Sequence, residues 1–414
     1  MAILLSNVSN ALETVVQPYI QDNFNKQTPL LDQIKKHSDV EFFNDAFYAP
    51  VRTGRHSGIV SLANDGSKLR SGASTIGRAN VGYKTLTATF DISKLTLDAT
   101  KNRKGAVENQ LTFQARTLLN DFSKDVNRQY YSDGVGVLSE VASSAGAGTI
   151  TIQHPSASLD DGRSVDWYGT VNGDIAPDKY LHVGMAIGLG TAAADVGTIT
   201  SITGNTVVLT GAPAMAANDA IYAVDGDEAA AGTSDIQGLR AALSSSTGAS
   251  TYANLARSTY GWTPQLGTVS EALTLSKMEN KYIAAKEFAN SDDRYAIFVN
   301  KTLYTKYGDI LTALRRTVNS TELLGGWSGL EFQVGAGKVG VFLDYEVPDG
   351  EVMIINLDSW TVCEVSPMAW VEGPDGKPMI RRRDYLTYQA TMAWFTNLLC
   401  RAPGANARLT QKTN

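Results

Sequence analysis

The chain has 414 residues, of which 43% are hydrophobic and 19% charged, and a formal net charge of −6. That is the composition of a folded globular protein of two or three domains, and the negative balance argues against a surface given over to nucleic acid. Cys363, Cys400 and the four histidines, His37, His56, His154 and His182, are scattered without CxxC or HxxxH spacing, which argues against a structural zinc site and leaves buried free thiols as the expectation over a Cys363–Cys400 bridge.

The opening MAILLSNVSNALETVV lacks a positive n-region and has a four-residue apolar run. It is expected to be neither a signal peptide nor an anchor. No run of eighteen apolar residues occurs, so no helix is expected to span a bilayer and folding is expected in a reducing cytoplasm. Asn10, with Glu13 three residues on, can cap a first helix whose stripe is Leu12, Val15, Val16, Tyr19 and Ile20, with Pro18 kinking or ending it. TPLLDQIKKH, 28–37, reads as a second short helix, so the N-terminus is a thin arm without a core of its own.

VEFFNDAFYAPV, 40–51, reads as one strand and VGYKTLTATFDISKLTLDA, 81–99, as another with period-two alternation. Between them RHSGIVSLANDGSKLRSG, 55–72, is Gly-rich and short of apolar groups, so the whole reads as a long hairpin with an irregular far end that is not stable alone. Residues 102–133 carry a helical stripe, Val107, Leu111, Ala115, Leu118, Phe122, Val126 and Tyr130, for a helix of roughly 45 Å, stopped at Asp133-Gly134.

From 140 to 233 charge falls and Gly, Ala and Thr rise. Short alternating strands with a Gly204-Asn205 hairpin turn predict a small all-β barrel. Residues 234–370 mix helices (268–289, 301–316) with strands (295–300, and two about Pro348-Asp349-Gly350), an α/β-like sandwich. DYLTYQATMAWF, 384–395, alternates as a strand of roughly 40 Å, with Leu386, Tyr388, Ala390, Met392 and Trp394 on one face. Its length matches the helix, and Leu111, Leu118 and Phe122 are expected to pack on it.

The chemical motifs fail on context. GLGTAA, 188–193, has the glycines of a dinucleotide turn but continues as strand. GWSGL, 326–330, lacks the GxSxG spacing of a nucleophile elbow. DGDE, 225–228, lacks the spacing and closing Glu of a calcium loop. No acid, base or nucleophile constellation remains, so no enzymatic activity, catalytic residue, cofactor or metal is expected.

Charge is unevenly spread. Between 51 and 104 lie ten cationic side chains against Asp65, Asp91 and Asp98, a balance of +7, so the remainder of the chain carries −13. A basic arm on an acidic body allows copies to attract head to tail, and a nucleic-acid arm would interleave more aromatics than Tyr83 and Phe90. Arg52, Arg55, Lys68, Arg70 and Arg78 of the arm are therefore the expected intersubunit contacts. Arg381, Arg382 and Arg383 of IRRRDY are expected in ion pairs between or within subunits.

A thin N-terminal arm, a long basic hairpin, one spine helix, a mixed body and a long final strand, in that order, resemble the major capsid protein of tailed bacteriophages, the Hong Kong-type capsid fold. SDGVG (132–136) with IQGL (236–239), ARSTYGWTP (256–264) and LCRAPGANARL (399–409) carry the local likeness. The resemblance implies an α+β fold with an N-terminal arm at 1–45, an extended loop at 46–98, and a peripheral domain at 99–139 and 371–414. It further implies an axial domain at 234–370, with the β-rich module at 140–233 as an insertion. It implies self-assembly through pentamers and hexamers into an icosahedral shell enclosing double-stranded DNA, without sequence-specific binding and without a membrane. Expected partners are a separate scaffolding protein, a portal and a decoration protein, with assembly in the host cytoplasm and residence in the virion. Some members form a Lys–Asn crosslink; Lys68 lies in the loop, but no catalytic Glu or acceptor Asn matches, so that chemistry is not carried over. The alternative is a β-rich phage tail or cell-surface structural protein, to which the Gly/Ala/Thr module points.

Overall fold

A computed structural model describes residues 30, 33–34, 40–59, 71–94, 104–146, 148–153, 178–189, 196–211, 216–223, 235–244, 250–267, 271–313, 320–322, 328–334, 337–373, 376, 378–382, 385–410 and 412–413. The expected N-terminal helix at 9–22 and the DGDE segment lie outside the described residues. Of the second, Leu30 and Ile34 are buried in the main core.

The segment 40–51 is not one strand. Asn44 (φ 48°) and Asp45 (φ 60°) are both left-handed, so β1 (Glu41–Phe43) folds back on β2 (Ala46–Arg52) through a two-residue turn of the kind that matches strand twist. β2 pairs with β3 (Ile76–Gly82) from Ala46↔Gly82 to Arg52↔Ile76, so a ribbon forms, but its returning strand lies almost wholly ahead of the expected 81–99. Its buried side is Phe47, Ala49, Val51, Ala79 and Val81. The second expected strand, 81–99, divides at Tyr83: β4 (Lys84–Ser93) leaves the ribbon for the long C-terminal strand.

Helix α1 (Lys104–Tyr131) follows, about 42 Å long at the usual rise. Its backbone turns away where Gly134 takes φ 88°, a conformation that costs glycine least. The next six strands close on themselves in the order β10-β5-β6-β9-β8-β7: β5 (Val137–Gly146), β6 (Thr149–Gln153), β7 (Ala186–Leu189), β8 (Val196–Thr203), β9 (Thr206–Thr210) and β10 (Ala220–Ala223). Ile150, Ile187, Ile199, Val207 and Ile221 fill the interior, and closure leaves no edge strand. Gly204 (φ 56°) makes the expected hairpin turn between β8 and β9. Gly188 and Leu189 of GLGTAA end β7, which pairs antiparallel with β8; the rest of that motif lies outside the described residues.

The chain returns through helix α2 (Leu239–Ala242) and the small hairpin β11 (Thr251–Tyr252) and β12 (Leu255–Ala256). A larger body follows from β13 (Gln265–Gly267), β14 (Glu271–Ala272), helix α3 (Leu275–Lys286), β15 (Tyr295–Val299), helix α4 (Lys301–Ala313), β16 (Ser320–Glu322), β17 (Ser328–Val334), β18 (Gly337–Leu343) and β19 (Val352–Asn356). Of GWSGL, Ser328 opens β17, and Gly326 and Trp327 lie outside the described residues. β15 is buried at every position. Tyr295, Ile297 and Val299 face Met278 and Tyr282 of α3 and Leu303 and Tyr307 of α4, while Ala296 and Phe298 face the main core. The strands about Pro348-Asp349-Gly350 do not pair with each other. β15 lies between them, parallel to β18 and antiparallel to β19, because a strand apolar on both faces belongs in a sheet interior.

The last strands are β20 (Trp360–Trp370), β21 (Met379–Arg381), β22 (Thr387–Cys400), β23 (Ala407–Leu409) and β24 (Lys412–Thr413). β22 pairs with β20, β21 and β4, and α1 lies on this sheet. Leu118, Leu119 and Phe122 pack with Ala390, Met392 and Tyr388, and Phe122 also packs against the cluster that holds Trp394, as matched length predicted. The side chain of Leu111 lies outside the described residues. β23 departs from this sheet to lie inside the other one, in the order β13-β23-β19-β15-β18-β17-β16. Cys363 stands opposite Asn397 and Cys400 opposite Trp360. That offset keeps the two cysteines apart; both are free and buried, and burial pushes each thiol up to about 12.

Met392 is 1% exposed under the helix and Thr87, on the opposite face of the sheet, is exposed. Met392→Ala is expected to lower the unfolding free energy by about 2–5 kcal/mol and Thr87→Ala by less than about 0.5 kcal/mol, measured by denaturant melts of the unassembled chain. Equal losses would place the helix elsewhere.

Candidate assembly interface

Arg52, Arg55 and Arg78 are exposed on the β2–β3 ribbon. Arg52 Nε donates to the Gly54 carbonyl at 3.1 Å, and the Arg78 guanidinium lies 5.6 Å from the Tyr48 ring centroid; none of the three has a carboxylate partner among the described residues. Past β2 the two chains stay together through Thr53 N donating to Thr75 O at 2.9 Å and Ser57 N to Ala73 O at 3.2 Å. A Cβ on Gly72 would overlap the backbone of Ser57 and Gly58, so this glycine serves close chain approach. Lys68, Arg70 and Arg383 lie outside the described residues. Arg381 is exposed at the end of β21, whereas Arg382 pairs within the chain, Nη1 to Asp91 Oδ2 at 3.4 Å, and stacks over Tyr385 at 4.8 Å. An exposed pair of this kind contributes about 0–1 kcal/mol.

The sheet face away from α1 is open. Along β4 it shows Thr85, Thr87 and Thr89, opposite Phe395, Ala393 and Thr391 of β22, with the Thr89 and Thr391 hydroxyls 3.1 Å apart. At its end Phe42, Tyr83 and Phe395 stand in series, ring centroids 6.0 and 6.4 Å apart, and all three are exposed. A neutral surface with an aromatic ladder at one end complements the charged ribbon beside it.

Behind the ribbon, the C-terminal end of α1 meets the rest of the molecule. Arg128 Nη1 pairs with Asp235 at 2.9 Å, the Gln129 amide oxygen accepts from Ile236 N at 3.1 Å, and Asn397 Oδ1 accepts from Gln237 N at 3.0 Å. A Cβ on Gly238 would overlap the carbonyl oxygens of Gln129, Tyr130 and Ser132. The IQGL segment is therefore seated on the helix end, with Ile236 and Leu239 in the core. Arg257, fully buried, donates to the carbonyls of Ala241 and Ala242 and to Ser244 Oγ, satisfying acceptors that the short helix α2 leaves open. Glu351, 1% exposed, holds Arg240 at 3.1 Å and Arg408 at 2.6 Å.

The turn after β18 ties three parts together. Asp344 accepts from Asn127 Nδ2 at 3.0 Å and Tyr131 Oη at 3.0 Å on α1. Glu346 accepts from Lys179 Nζ at 3.0 Å and from the Tyr180 hydroxyl, on the segment leading into β7 of the barrel. Burial pushes the Asp344 carboxyl up to about 6 and the Asp133 carboxyl up to about 7. Asp133 lines a cleft of about 490 Å³ with Asn80, Gln237, Arg240, Ser244 and Asn254. Among the described residues no group of His, Cys, Asp and Glu fits a metal ion, and no helix is long and apolar enough to cross a membrane.

No protein-family model matches the chain, and no curated protein does. A chain of the cyanophage A-1(L) capsid asymmetric unit superimposes over 94% of this chain and 93% of its own, with 13% identity and a TM-score of 0.52. This chain has the fold of that capsid subunit. The capsid of the native GTA particle (9% identity, 93% and 91% covered, TM-score 0.44) and Mycobacterium phage Bobi (7%, 93% and 90%, 0.44) are more distant. The capsid fold here is mixed α+β and rich in strands, as the order of elements predicted.

Within this capsid fold, the residues that lock the layers together, Glu351, Arg240, Arg408, Arg257 and Asp344, went unseen in the sequence. The signal available was a charged residue inside an otherwise apolar strand, Arg408 between Ala407 and Leu409; an alternating pattern alone assigns such a residue to solvent.

The folded chain keeps the Asp344 proton to about pH 6, whereas an unfolded aspartate releases it near 3.9. The native state therefore binds more protons across that window, and stability falls as pH rises through it, by roughly 3 kcal/mol. Asp344→Asn is expected to lessen the fall in stability between about pH 4 and 6, Asp133 keeping its own share of that slope, while leaving the melt cooperative. A variant that loses stability with pH as steeply as wild type would locate the titrating group elsewhere.

Proposed function

We propose that the chain is the major capsid protein of a tailed phage, of the Hong Kong type. It self-associates through pentamers and hexamers into an icosahedral shell that encloses double-stranded DNA and forms part of the virion. The observation that carries this reading is the likeness to the cyanophage capsid subunit over nearly the whole length of both chains. On this reading α1 with the β4–β22–β20 sheet is the peripheral domain, and the seven-stranded sheet with α3 and α4 is the axial domain. The basic β2–β3 ribbon is the extended loop, its exposed arginines and the aromatic ladder of Phe42, Tyr83 and Phe395 being surfaces for neighbouring copies. The −13 body suits a container, since a basic lining would hold the DNA backbone through counterion release. Scaffolding, portal and decoration proteins are separate partners, and the role is structural rather than enzymatic.

The barrel is an insertion. Chain leaves the end of α1 into β5 and returns at 235 to the same place, where a Cβ on Gly134 would stand 3.3 Å from Gln237 Cα. A closed barrel with its own apolar interior needs nothing from the body to fold.

Electron microscopy of the purified chain tests the main reading, with closed shells expected. Tubes would favour a tail protein, and dispersed monomers at high concentration would count against both. For the insertion, residues 136–235 expressed alone are expected to melt cooperatively with a β-type circular dichroism spectrum; a featureless melt would sink that assignment.

A further inference from the structure

We infer that residues 402–410 and 412–413 are a latch: a segment paired with strands far upstream closes the seven-stranded sheet from inside, and the subunit becomes competent to assemble only when it has closed. The inference rests on the capsid reading for its second half and on the fold alone for its first.

Topology carries the first step. β23 is an interior strand, parallel to β13 (Gln265↔Ala407) and antiparallel to β19 (Val352↔Leu409). Both neighbours lie far upstream in the chain. Without β23, β13 has no strand partner among the described residues and β19 becomes an edge, an open template for wrong pairing. Flanking contacts continue the closure: Thr410 N donates to Gly267 O and Lys412 N to Gly350 O, each at 2.8 Å.

Side chains carry the second. The fully buried Asn406 amide uses its full capacity. Its oxygen accepts from Asn356 N at 2.8 Å and Trp360 Nε1 at 3.0 Å. Its nitrogen donates to Ser359 Oγ at 3.0 Å and Ala402 O at 2.9 Å. Arg408, 0% exposed, grips Glu351 with two hydrogen bonds of 3.0 and 2.6 Å. Before the segment arrives, Glu351 keeps Arg240 but lacks its bidentate partner, and the Trp360 indole N–H loses its acceptor. A buried charge stripped of a partner is strongly unfavourable, so the pocket stays open and hydrated until the latch enters. Ala407 and Leu409 belong to the same apolar cluster as Met278 and Tyr282 of α3, so the helix-covered face of the sheet is also unfinished until then.

Pairing Gln265 with Ala407 closes a long stretch of chain, and such non-local contacts form late. Its function follows: a copy whose latch is still open lacks a finished axial sheet and does not enter a growing shell.

The test follows refolding of the full-length chain from denaturant by pulsed hydrogen exchange with mass spectrometry, alongside light scattering. Amides of 352–354 and 407–409 are expected to gain protection last, after the barrel strands, and scattering to rise only after them. Gly404→Ala, whose Cβ would stand 2.7 Å from Gly261 O, is expected to slow both events by the same factor, on the order of tenfold. Scattering that rises while those amides still exchange would overturn the gate. Protection of 407–409 as early as the barrel would overturn the latch. A chain that folds but never scatters would sink the capsid reading, and the latch would then be decided by the order of protection alone.

Discussion

Glu351 is the constraint on which the rest of this structure depends. A carboxylate at 1% exposure is tolerated only if cations and hydrogen bonds replace its water. Here the replacements come from two segments distant in the chain, Arg240 beside the end of α1 and Arg408 in the tail. The arrangement is expensive in desolvation and specific in geometry: the two guanidiniums reach one carboxylate only when the α1 junction, the seven-stranded sheet and the tail are all in place. An apolar contact at the same point would hold the layers together but would accept many registers.

The same logic governs the end of α1. Four of its residues, Asn127, Arg128, Gln129 and Tyr131, make side-chain hydrogen bonds to segments from elsewhere in the chain or to their anchoring acids. Gly238 lets another backbone rest directly on the helix carbonyls. The long helix is thereby a beam fixed at one end, its flank lying along β22. Two carboxyls at this junction, Asp133 and Asp344, are buried enough to hold protons well above the usual aspartate range. Their ionisation near neutral pH works against the junction, so the point where the layers meet is also a point of stored electrostatic strain.

Away from that junction the surface divides by chemistry. The ribbon projects cations, the open sheet face is neutral and rich in threonine, and the bulk of the carboxylates lies elsewhere on the chain. On the proposed capsid reading, such a division would give orientation at long range through charge and close fit through neutral contact. The barrel, pinned by Lys179 and Tyr180 to Glu346, is carried on the same turn that anchors α1 through Asp344, so its position is coupled to that of the beam.

Strands β3 and β5 escaped the sequence reading, but local pattern was enough for α1, the barrel strands β6–β10, the long β22 and the uneven charge. Each is written in a periodicity of 3.6 or 2, or in turn residues such as Gly204-Asn205 and Asp133-Gly134, which act through neighbours in sequence. The hairpin at Asn44-Asp45 was equally local but was masked by apolar residues on both sides. Partner choice was not legible. That β4 leaves the ribbon for β22, that β15 separates β18 from β19, and that β23 enters a sheet interior were decided by which pairing buries every apolar face at once. The alternation along one strand is silent on that choice. The roles of Arg240, Arg257, Arg408 and Glu351 were decided the same way, because a charge is worth burying only where the tertiary fold brings its counter-charge and removes water from both.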